Sequence, residues 1–315
     1  MLTAPGIYFD VDVAEYHADP CAEPSVNQSL IKVLLEQSPA HARAAHPRLA
    51  LPLPAEVEEE NAEKYDKVTA IGDAFHGMLL GRGKKLAIGD YPTWQSKDAK
   101  EFRSDALEDG FVPILDKHHR VALAMYAAAV VQLQERDLMW LFEPDIGRSE
   151  VVLVWKMGEI TCRTMIDRLS NDIREVVDLK TTRLNAAPRA IGSLMANAGW
   201  PIQTAMHELG LDTLNPENAG RRRHTYIVIE QYPPFALVHY VMTEALIHLG
   251  RKRLHIGLRS WEDCLHRGIW PAYPIEAQYP EMPGWIEKQW TERELEHEAS
   301  RPHDEPPGGN ILAAY

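Results

Sequence analysis

The stretch REVVDLKTTRL, residues 174–184, places an acid and a base inside an apolar strand pattern. Val177 and Leu179 are typical of a buried strand, whereas Asp178 and Lys180 interrupt it. Because side chains alternate along a strand, Asp178 and Lys180 are expected to project to one face, about 6–7 Å apart. A charged pair inside a buried strand is either a surface ion pair on a half-exposed face or part of a reactive site.

The preceding strand pattern carries Arg163, Met165 and Asp167 on one face by the same alternation. If the two strands are neighbours, two carboxylates and one ammonium meet over one patch of sheet. Two close carboxylates repel unless a cation lies between them, and Mg²⁺ prefers such oxygen ligands. The arrangement suits metal-assisted phosphodiester hydrolysis, with Lys180 orienting a water or neutralising phosphate charge. Burial and a nearby cation would lower the pKa of Lys180 towards partial base function.

The composition is acidic, with 33 Lys and Arg against 46 Asp and Glu in 315 residues, a net charge of −13. This balance disfavours indiscriminate binding to nucleic acid or to an anionic membrane, although a local basic track remains compatible with it. The acidic runs at 55–63 and 292–300 are expected to be solvated. The basic clusters at 220–226 and 250–259 could bind a DNA backbone or form solvated turn and helix faces.

The cysteine pattern excludes two kinds of metal site. Cys21, Cys162 and Cys264 lie far apart and form no C-x-x-C pair, so neither structural zinc nor an iron–sulfur cluster is indicated. Free thiols suit a reducing cytosol. The N-terminus has acids and a Pro where a signal peptide would have an apolar run, and no stretch reaches about 18 apolar residues. We therefore expect a cytoplasmic protein with no membrane partner.

The order of elements predicts a mixed α/β fold. Helical patterns occupy 27–39, 62–81 and 117–136, and three strand patterns follow from Glu150. Two helices, two further strands and a long helix at 243–268 complete the order. This order favours a central mixed β-sheet flanked by helices.

The absence of a repeat or a clear linker predicts one domain over residues 1–295. Its parts are a mainly helical N-terminal part, a catalytic core and an extended packing strap, at 1–149, 150–270 and 271–295. Residues 296–315 are predicted to be a disordered tail.

Several motifs in this order resemble the PD-(D/E)xK nuclease superfamily, with its restriction-endonuclease-like core. Asp178 takes the (D/E) position of D-x-K, and Asp167 lies eleven residues before it. GDAFHGMLLG (72–81) is similar to the G-x-x-x-H helix of the RecB-like branch, and WPIQTAMHELG (200–210) to its Q-x-x-x-Y helix. PGIYFDVDVAEYH, NQSLIKVLLEQSPAHAR and GIWPAYP resemble the nuclease domain of RecE-type exonucleases (exodeoxyribonuclease VIII) of phages and prophages. The resemblance covers roughly residues 5 to 285.

The resemblance implies a set of metal ligands and a catalytic lysine. The ligands would be the side chains of His76, Asp167 and Asp178 and the backbone carbonyl of Leu179, with Lys180 as the water-orienting or charge-stabilising residue. Mg²⁺ is the implied ion, in two copies. Mn²⁺ is the implied substitute, since imidazole suits it better than it suits Mg²⁺.

A second set of residues has a functional and a structural interpretation each. Glu150 matches a family acid near the metal, but a Glu that opens a strand is often only solvated. Arg163 could grip a phosphate or pair with an acid. Gln203 and His207 are one helical turn apart and could contact the scissile strand, or serve capping and core hydrogen bonds. Arg183, just past the D-x-K strand, is well placed for DNA.

Two departures from the family pattern are visible. Ile166 replaces the Pro before the first acid, and His207 stands where the helix motif carries Tyr.

The function implied by the resemblance is metal-dependent exonuclease activity of RecE type. Such an enzyme degrades the 5′-ended strand of linear double-stranded DNA and exposes a 3′ single strand for a RecT-type annealing partner. A homo-oligomeric ring with a basic channel would reconcile the acidic charge with DNA binding. The alternatives are a related endonuclease or DNA-end trimmer, and a non-catalytic DNA- or protein-binding module on the same fold.

Overall fold

The structure is a computed structural model that describes residues 1–51 and 70–300 of the 315. The chain divides into two compact units, Met1–Ala272 and Tyr273–Tyr315. The described part of the second unit contains one helix. No helix in the described ranges is both long and apolar enough to cross a membrane.

The first unit is organised around a seven-stranded mixed sheet. In spatial order it runs β1-β5-β6-β7-β8-β9, and β2 also pairs with β6. The pairs β7/β8 and β2/β6 are parallel and the others antiparallel. A separate pair, β3 and β4, is parallel. The strands are β1 Gly6–Tyr8, β2 Ser25–Val26, β3 Leu86–Gly89, β4 Val112–Leu115, β5 Gly147–Met157, β6 Ile160–Ser170, β7 Glu175–Thr182, β8 Arg223–Glu230 and β9 Leu237–Val241.

Ten described helices accompany these strands, with two short 3₁₀ turns at Met139–Phe142 and Pro216–Asn218. Asn27 caps α2 by accepting a hydrogen bond from the Leu30 N–H at 3.0 Å, and Gly268 ends α9 in the left-handed conformation. The helices are α1 Val13–His17, α2 Gln28–Glu36, α3 Pro39–Ala44, α4 described over 70–80, α5 Lys97–Glu108, α6 Asp116–Glu135, α7 Ile191–Ala198, α8 Trp200–Leu214, α9 Glu244–Arg267 and α10 Gly284–Ala299.

Both faces of the sheet are covered by helices. On one face, α2, α8 and α9 bury Trp155, Ile202 and Trp261 in the largest apolar cluster. On the other face, α4 and α6 bury Phe75 and Met125 against β7 and β8. Strands covered on both faces become nearly continuous apolar runs, which is why the polar residues of β7 stand out.

The mixed α/β architecture predicted from the sequence is confirmed. The predicted helix at 62–81 is described only over 70–80; its residues 62–69 lie outside the described residues. The strands β1 to β4 and the helices α1, α3 and α5 were not predicted. Strands of two to four residues carry too little alternation to be read from the sequence.

The C-terminal segment differs from its prediction in one respect. Residues 284–299, in and just beyond the predicted extended strap, form helix α10. Two Pro residues before it, Pro280 and Pro283, are compatible with a helix that begins at Gly284. Residues 301–315 of the predicted tail lie outside the described residues, and the domain boundaries stay a prediction.

The crossing of α8 and α9 requires a glycine at position 250. A Cβ there would lie 1.9 Å from the carbonyl oxygen of Pro201, whereas a Cβ on Gly192 would meet nothing within 4 Å. We expect Gly250→Ala to lower the free energy of unfolding by about 1–3 kcal/mol or more through overpacking. Gly192→Ala is the matched control and should be neutral or stabilising by up to about 1 kcal/mol. Urea denaturation measures both, and equal effects would contradict this account of the crossing.

Candidate active site

The candidate site lies where β6 and β7 separate. The two strands pair only through Arg168 with Val177 and Leu169 with Val176. Beyond these pairs the Asp167 carboxylate enters the gap, where its Oδ2 accepts a hydrogen bond from the Leu179 backbone N–H at 2.8 Å. The Asp167 carboxylate therefore takes the place of a backbone carbonyl as the acceptor for Leu179, which brings Asp167 against the backbone of the D-x-K segment.

The opposite side of β6 is also irregular at this point. Glu150, which faces Asp167 across the β5/β6 ladder, has a left-handed backbone with φ of 54°. Ile166 and Leu169, three residues apart, pack in the same apolar cluster, so the alternation of β6 is interrupted between them. A positive φ at a non-glycine residue costs conformational free energy, and this conformation is kept only where the surrounding structure fixes it. The irregularity directs Asp167 into the gap between the strands.

Asp178 is buried, with 2% of its surface exposed. Its Oδ1 forms an ion pair with Lys180 Nζ, and its Oδ2 accepts a hydrogen bond from Gln203 Nε2 at 2.5 Å. Burial raises the pKa of Asp178, the Asp167 charge raises it further, and Lys180 opposes both. Burial likewise raises the pKa of Asp167, opposed by Lys180 and the Leu179 N–H. The two acids and the lysine form one electrostatic group.

Lys180 is an ammonium in this arrangement. Burial alone would lower the pKa of Lys180, but the carboxylates of Asp178 and Asp167 raise it above the ordinary value. Its Nζ also lies 5.8 Å from the centre of the Tyr226 ring. The lowered pKa of Lys180 expected from the sequence required a cation beside the ammonium as well as burial, and it stays a prediction. With Asp178 and Asp167 as neighbours, the two carboxylates outweigh burial.

His76, on α4, reaches the same group from the opposite face of the sheet. Burial lowers the pKa of His76 to about 4, the Lys180 charge acts in the same direction, and Asp178, Asp73 and hydrogen bonding with the Leu179 backbone oppose it. The imidazole is neutral at ordinary pH, the form in which histidine binds metal. The helix and strand motifs thus place His76 beside Asp178 and the Leu179 backbone.

A cleft of about 210 Å³ opens beside Asp167 and is lined also by Asp73, His76, Glu150 and Gln203. Burial raises the pKa of Glu150, although its Oε2 lies 3.2 Å from Arg82 Nε. Asp73 was missed from the sequence. It lies three residues before His76, and this helical spacing could have identified it.

The family of the chain follows from a comparison with protein-family models. A model described as a PDDEXK-like domain of unknown function (DUF3799) matches residues 55–282. The chain belongs to this family. Membership places it in the PD-(D/E)xK nuclease superfamily, whose nucleases generally use divalent metal ions.

Three solved structures are similar to this PDDEXK-like chain. One is a putative exonuclease from Eubacterium rectale, with 12% identity, a TM-score of 0.46, and coverage of 85% of this chain and 97% of that chain. A phage related exonuclease from Haemophilus somnus has 11% identity, a TM-score of 0.32 and coverage of 78% and 96%. The alkaline exonuclease LHK-Exo from Laribacter hongkongensis has 13% identity, a TM-score of 0.27 and coverage of 62% and 96%. No curated protein matches the sequence.

The oxygen atoms available at the PDDEXK-like site are of the type that a hard divalent cation prefers. Asp167 and Asp178 offer carboxylates and Leu179 a backbone carbonyl, and the buried Asp178 Oδ1 has no hydrogen-bond donor besides the paired Lys180 ammonium. In residues 1–51 and 70–300, however, no three His, Cys, Asp or Glu side chains converge as ion ligands do. Lys180 supplies the positive charge in the present arrangement.

Arg163 does not lie where the DNA-binding prediction placed it. Its guanidinium is buried, with Nη1 3.1 Å from Asp19 Oδ1 and 2.6 Å from both the Ser25 carbonyl and hydroxyl. The ring of Tyr16 covers it at 5.4 Å. The prediction that Arg163 grips a phosphate is corrected, because the guanidinium is already engaged in a buried ion pair.

His207 is likewise unsuited to a phosphate contact. It is buried between α8 and β6, and burial lowers its pKa well below the ordinary value, with His224 and Lys180 acting in the same direction. With 1% of its surface exposed, His207 offers no accessible face to a phosphate, so the alternative of a core residue fits the structure and the DNA-binding prediction is corrected.

Arg183, in contrast, is exposed at the end of β7. Its role in DNA binding stays a prediction. The basic clusters at 220–226 and 250–259 contain four arginines that pair with acids: Arg222 with Asp212, Arg223 with Glu175, Arg251 with Glu208, and Arg253 with Glu36. These four arginines have structural partners.

Proposed function

We propose that this chain is a metal-dependent DNA exonuclease of RecE type. It would hydrolyse phosphodiester bonds of linear double-stranded DNA in the 5′ to 3′ direction and expose 3′ single strands for a RecT-type annealing partner. Mg²⁺ would be its ion, with Mn²⁺ as a substitute, and a homo-oligomeric ring would be its assembly.

One observation carries the proposal: the buried Asp178 and the half-buried Asp167 and Lys180 form a single electrostatic group at the gap between β6 and β7. Two neighbouring carboxylates with raised pKa values are characteristic of functional sites. A binding module would gain nothing from acids beside a phosphate.

Each residue of the group has a role in hydrolysis. Asp167, Asp178, His76 and the Leu179 carbonyl would hold the divalent ion, and the ion would stabilise negative charge on the phosphate as a Lewis acid. Lys180 would orient the attacking water and neutralise charge as the water oxygen bonds to phosphorus and the ester oxygen leaves. Gln203 positions the Asp178 carboxylate through its hydrogen bond.

Incubation of the purified protein with end-labelled linear duplex DNA and with closed circular DNA tests the proposal. We expect loss of label from the linear duplex in Mg²⁺ or Mn²⁺, no cutting of the circle, and no activity in excess chelator. A label at the 5′ end should be released as mononucleotide earlier than one at the 3′ end. Cutting of the circle would establish an endonuclease instead, and the absence of cutting in every metal would refute the nuclease.

Gln203 gives a separate prediction for the ion. Gln203→Met removes the donor that orients Asp178, so we expect Mn²⁺ affinity to fall about 10–100-fold. Calorimetric titration of Mn²⁺ measures this without any substrate. Gln134→Met, on an exposed position of α6, is the control and should leave the affinity unchanged. An unchanged affinity in Gln203→Met would show that Asp178 does not depend on this hydrogen bond.

A further inference from the structure

A second and larger cavity, of about 810 Å³, lies at the carboxyl end of the D-x-K strand. Trp94 precedes α5, and Lys100 lies on that helix. Lys117 lies in the first turn of α6, and Arg183 and Gln231 follow β7 and β8. We call it the basic cavity. It brings the small β3/β4 unit, which the sequence did not predict, against the end of the catalytic strand.

The basic cavity is cationic in an acidic protein. Besides Lys100, Lys117 and Arg183, its lining includes Arg103, and none of the described residues that line it is Asp or Glu. Lys100 and Arg183 are exposed and form no ion pair with any described residue. A concave surface of one charge sign concentrates oppositely charged ligands, so the cavity suits a polyanion.

The cavity also has a rigid aromatic wall. The Trp94 ring stacks on Phe102 with their centres 6.3 Å apart and their planes 10° from parallel, and Tyr91 packs on both rings. Gly89 makes room for this cluster, since a Cβ there would lie 3.1 Å from Trp94. An aromatic ring held in place beside cations is the arrangement on which unpaired bases stack.

The basic cavity and the candidate active site lie along the same strand, β7. Gln231 Nε2 donates to Thr181 Oγ1 at 2.8 Å, and Thr181 directly follows Lys180. Arg183 lies roughly 10 Å beyond Lys180 along an extended chain. With phosphates spaced about 3.4 Å apart along one strand, this separation corresponds to roughly three nucleotides.

We propose that the basic cavity binds a short single-stranded stretch of the nucleic acid cut at the candidate active site, an inference that rests on the proposed function. Lys100, Lys117 and Arg183 contact its phosphates, and Trp94 stacks on one base. A base can stack on Trp94 only when it has left the duplex, so the cavity selects single-stranded over paired nucleic acid.

Fluorescence anisotropy with a dye-labelled oligothymidylate of about ten nucleotides tests the proposal. The full chain is used in excess chelator, so that nothing is cut. We expect Lys100→Glu and Trp94→Leu each to weaken binding about tenfold, and Trp94→Phe to restore most of it. Lys288→Glu, at an exposed position of α10 outside both basic clusters and outside the cavity lining, is the charge-matched control and should bind like the parent. Lys100→Glu should also reduce the slope of log affinity against log salt by about 0.7–1.

Equal losses in Lys100→Glu and Lys288→Glu would overturn the proposal, because they would indicate charge attraction without a site. Competition by inorganic phosphate as effective as by the oligonucleotide, at equal phosphate concentration, would overturn it in favour of a small-anion site. Unchanged binding in Trp94→Leu would also count against it, provided its melting temperature matches the parent. Binding is measured here without cleavage, whereas the proposed function is tested by cleavage of end-labelled duplex. A failure of the cavity proposal can therefore be distinguished from a failure of the proposed nuclease activity.

Discussion

Asp178→Ala is expected to reduce the rate of DNA hydrolysis by about 10³-fold or more. The variant loses a carboxylate from the group that would hold the ion, which removes several kcal/mol of transition-state stabilisation. Lys180→Met should have a comparable effect, because the ammonium beside Asp178 and Asp167 is lost. Release of end label from linear duplex DNA in Mg²⁺ measures both rates.

A matched control for this prediction lies on the same strand. Glu175 begins β7 and pairs with Arg223 at 2.8 Å on the surface. Glu175→Gln removes a carboxylate without touching the gap between the strands, and we expect it to cut DNA at the parental rate. If Asp178→Ala cuts as fast as Glu175→Gln while both are folded by circular dichroism, the assignment of the site is wrong.

Asp19→Asn is expected to lower the free energy of unfolding by about 3–5 kcal/mol. Asp19 is the buried acid that neutralises Arg163, and removing one partner of a buried pair leaves an uncompensated charge. His46 and Ser25 also bond this carboxylate, so the loss affects a network. Urea denaturation followed by circular dichroism measures the effect.

The control is the nearby surface pair of Glu23 and Lys156, 3.0 Å apart. Glu23→Gln should cost less than about 1 kcal/mol, because exposed ion pairs contribute little. Adding Arg163→Met to Asp19→Asn should recover part of the stability, since no charge then remains buried. Equal stability of Asp19→Asn and Glu23→Gln would contradict a buried role for the pair.

The same network predicts a pH dependence. Burial would raise the pKa of Asp19, but His46, Arg163 and Ser25 together lower it from 3.8 to about 2. A folded-state pKa below the unfolded value contributes stability that is present above pH 3.8 and is lost as the pH falls towards 2. The parent should therefore lose this contribution on acidification, and Asp19→Asn should lack it at every pH.

The residues of the β6/β7 gap could be found from the sequence because they lie in regular local patterns. Asp178 and Lys180 interrupt an apolar strand, and His76 and Gln203 lie in helices whose motifs resemble those of the PD-(D/E)xK superfamily. Periodicity shows which residues share a face, so the D-x-K segment, the helices and the mixed α/β order were all predictable. The family match at residues 55–282 agrees with that fold.

Other features depended on contacts between distant parts of the chain. Alternation placed Arg163 beside Asp167, but whether its guanidinium faced phosphate or a partner depended on the two-residue strand β2 and on Asp19. The same holds for His207, which helix spacing placed beside Gln203 and tertiary packing buried. The strands β1 to β4 are too short to be predicted from local sequence. The long strands β5 and β6 pair with β1 and β2, and β3 and β4 pair with each other.

The amino-acid sequence by itself determined which residues are candidates for the chemistry, since residue type and spacing along one strand or one helix are local properties. Only the tertiary structure decided which charges are neutralised, where β6 and β7 part, and that a cationic cavity with an aromatic wall lies at the end of the D-x-K strand. Charge pairing and burial depend on distances between segments far apart in the chain, and no local pattern records those distances.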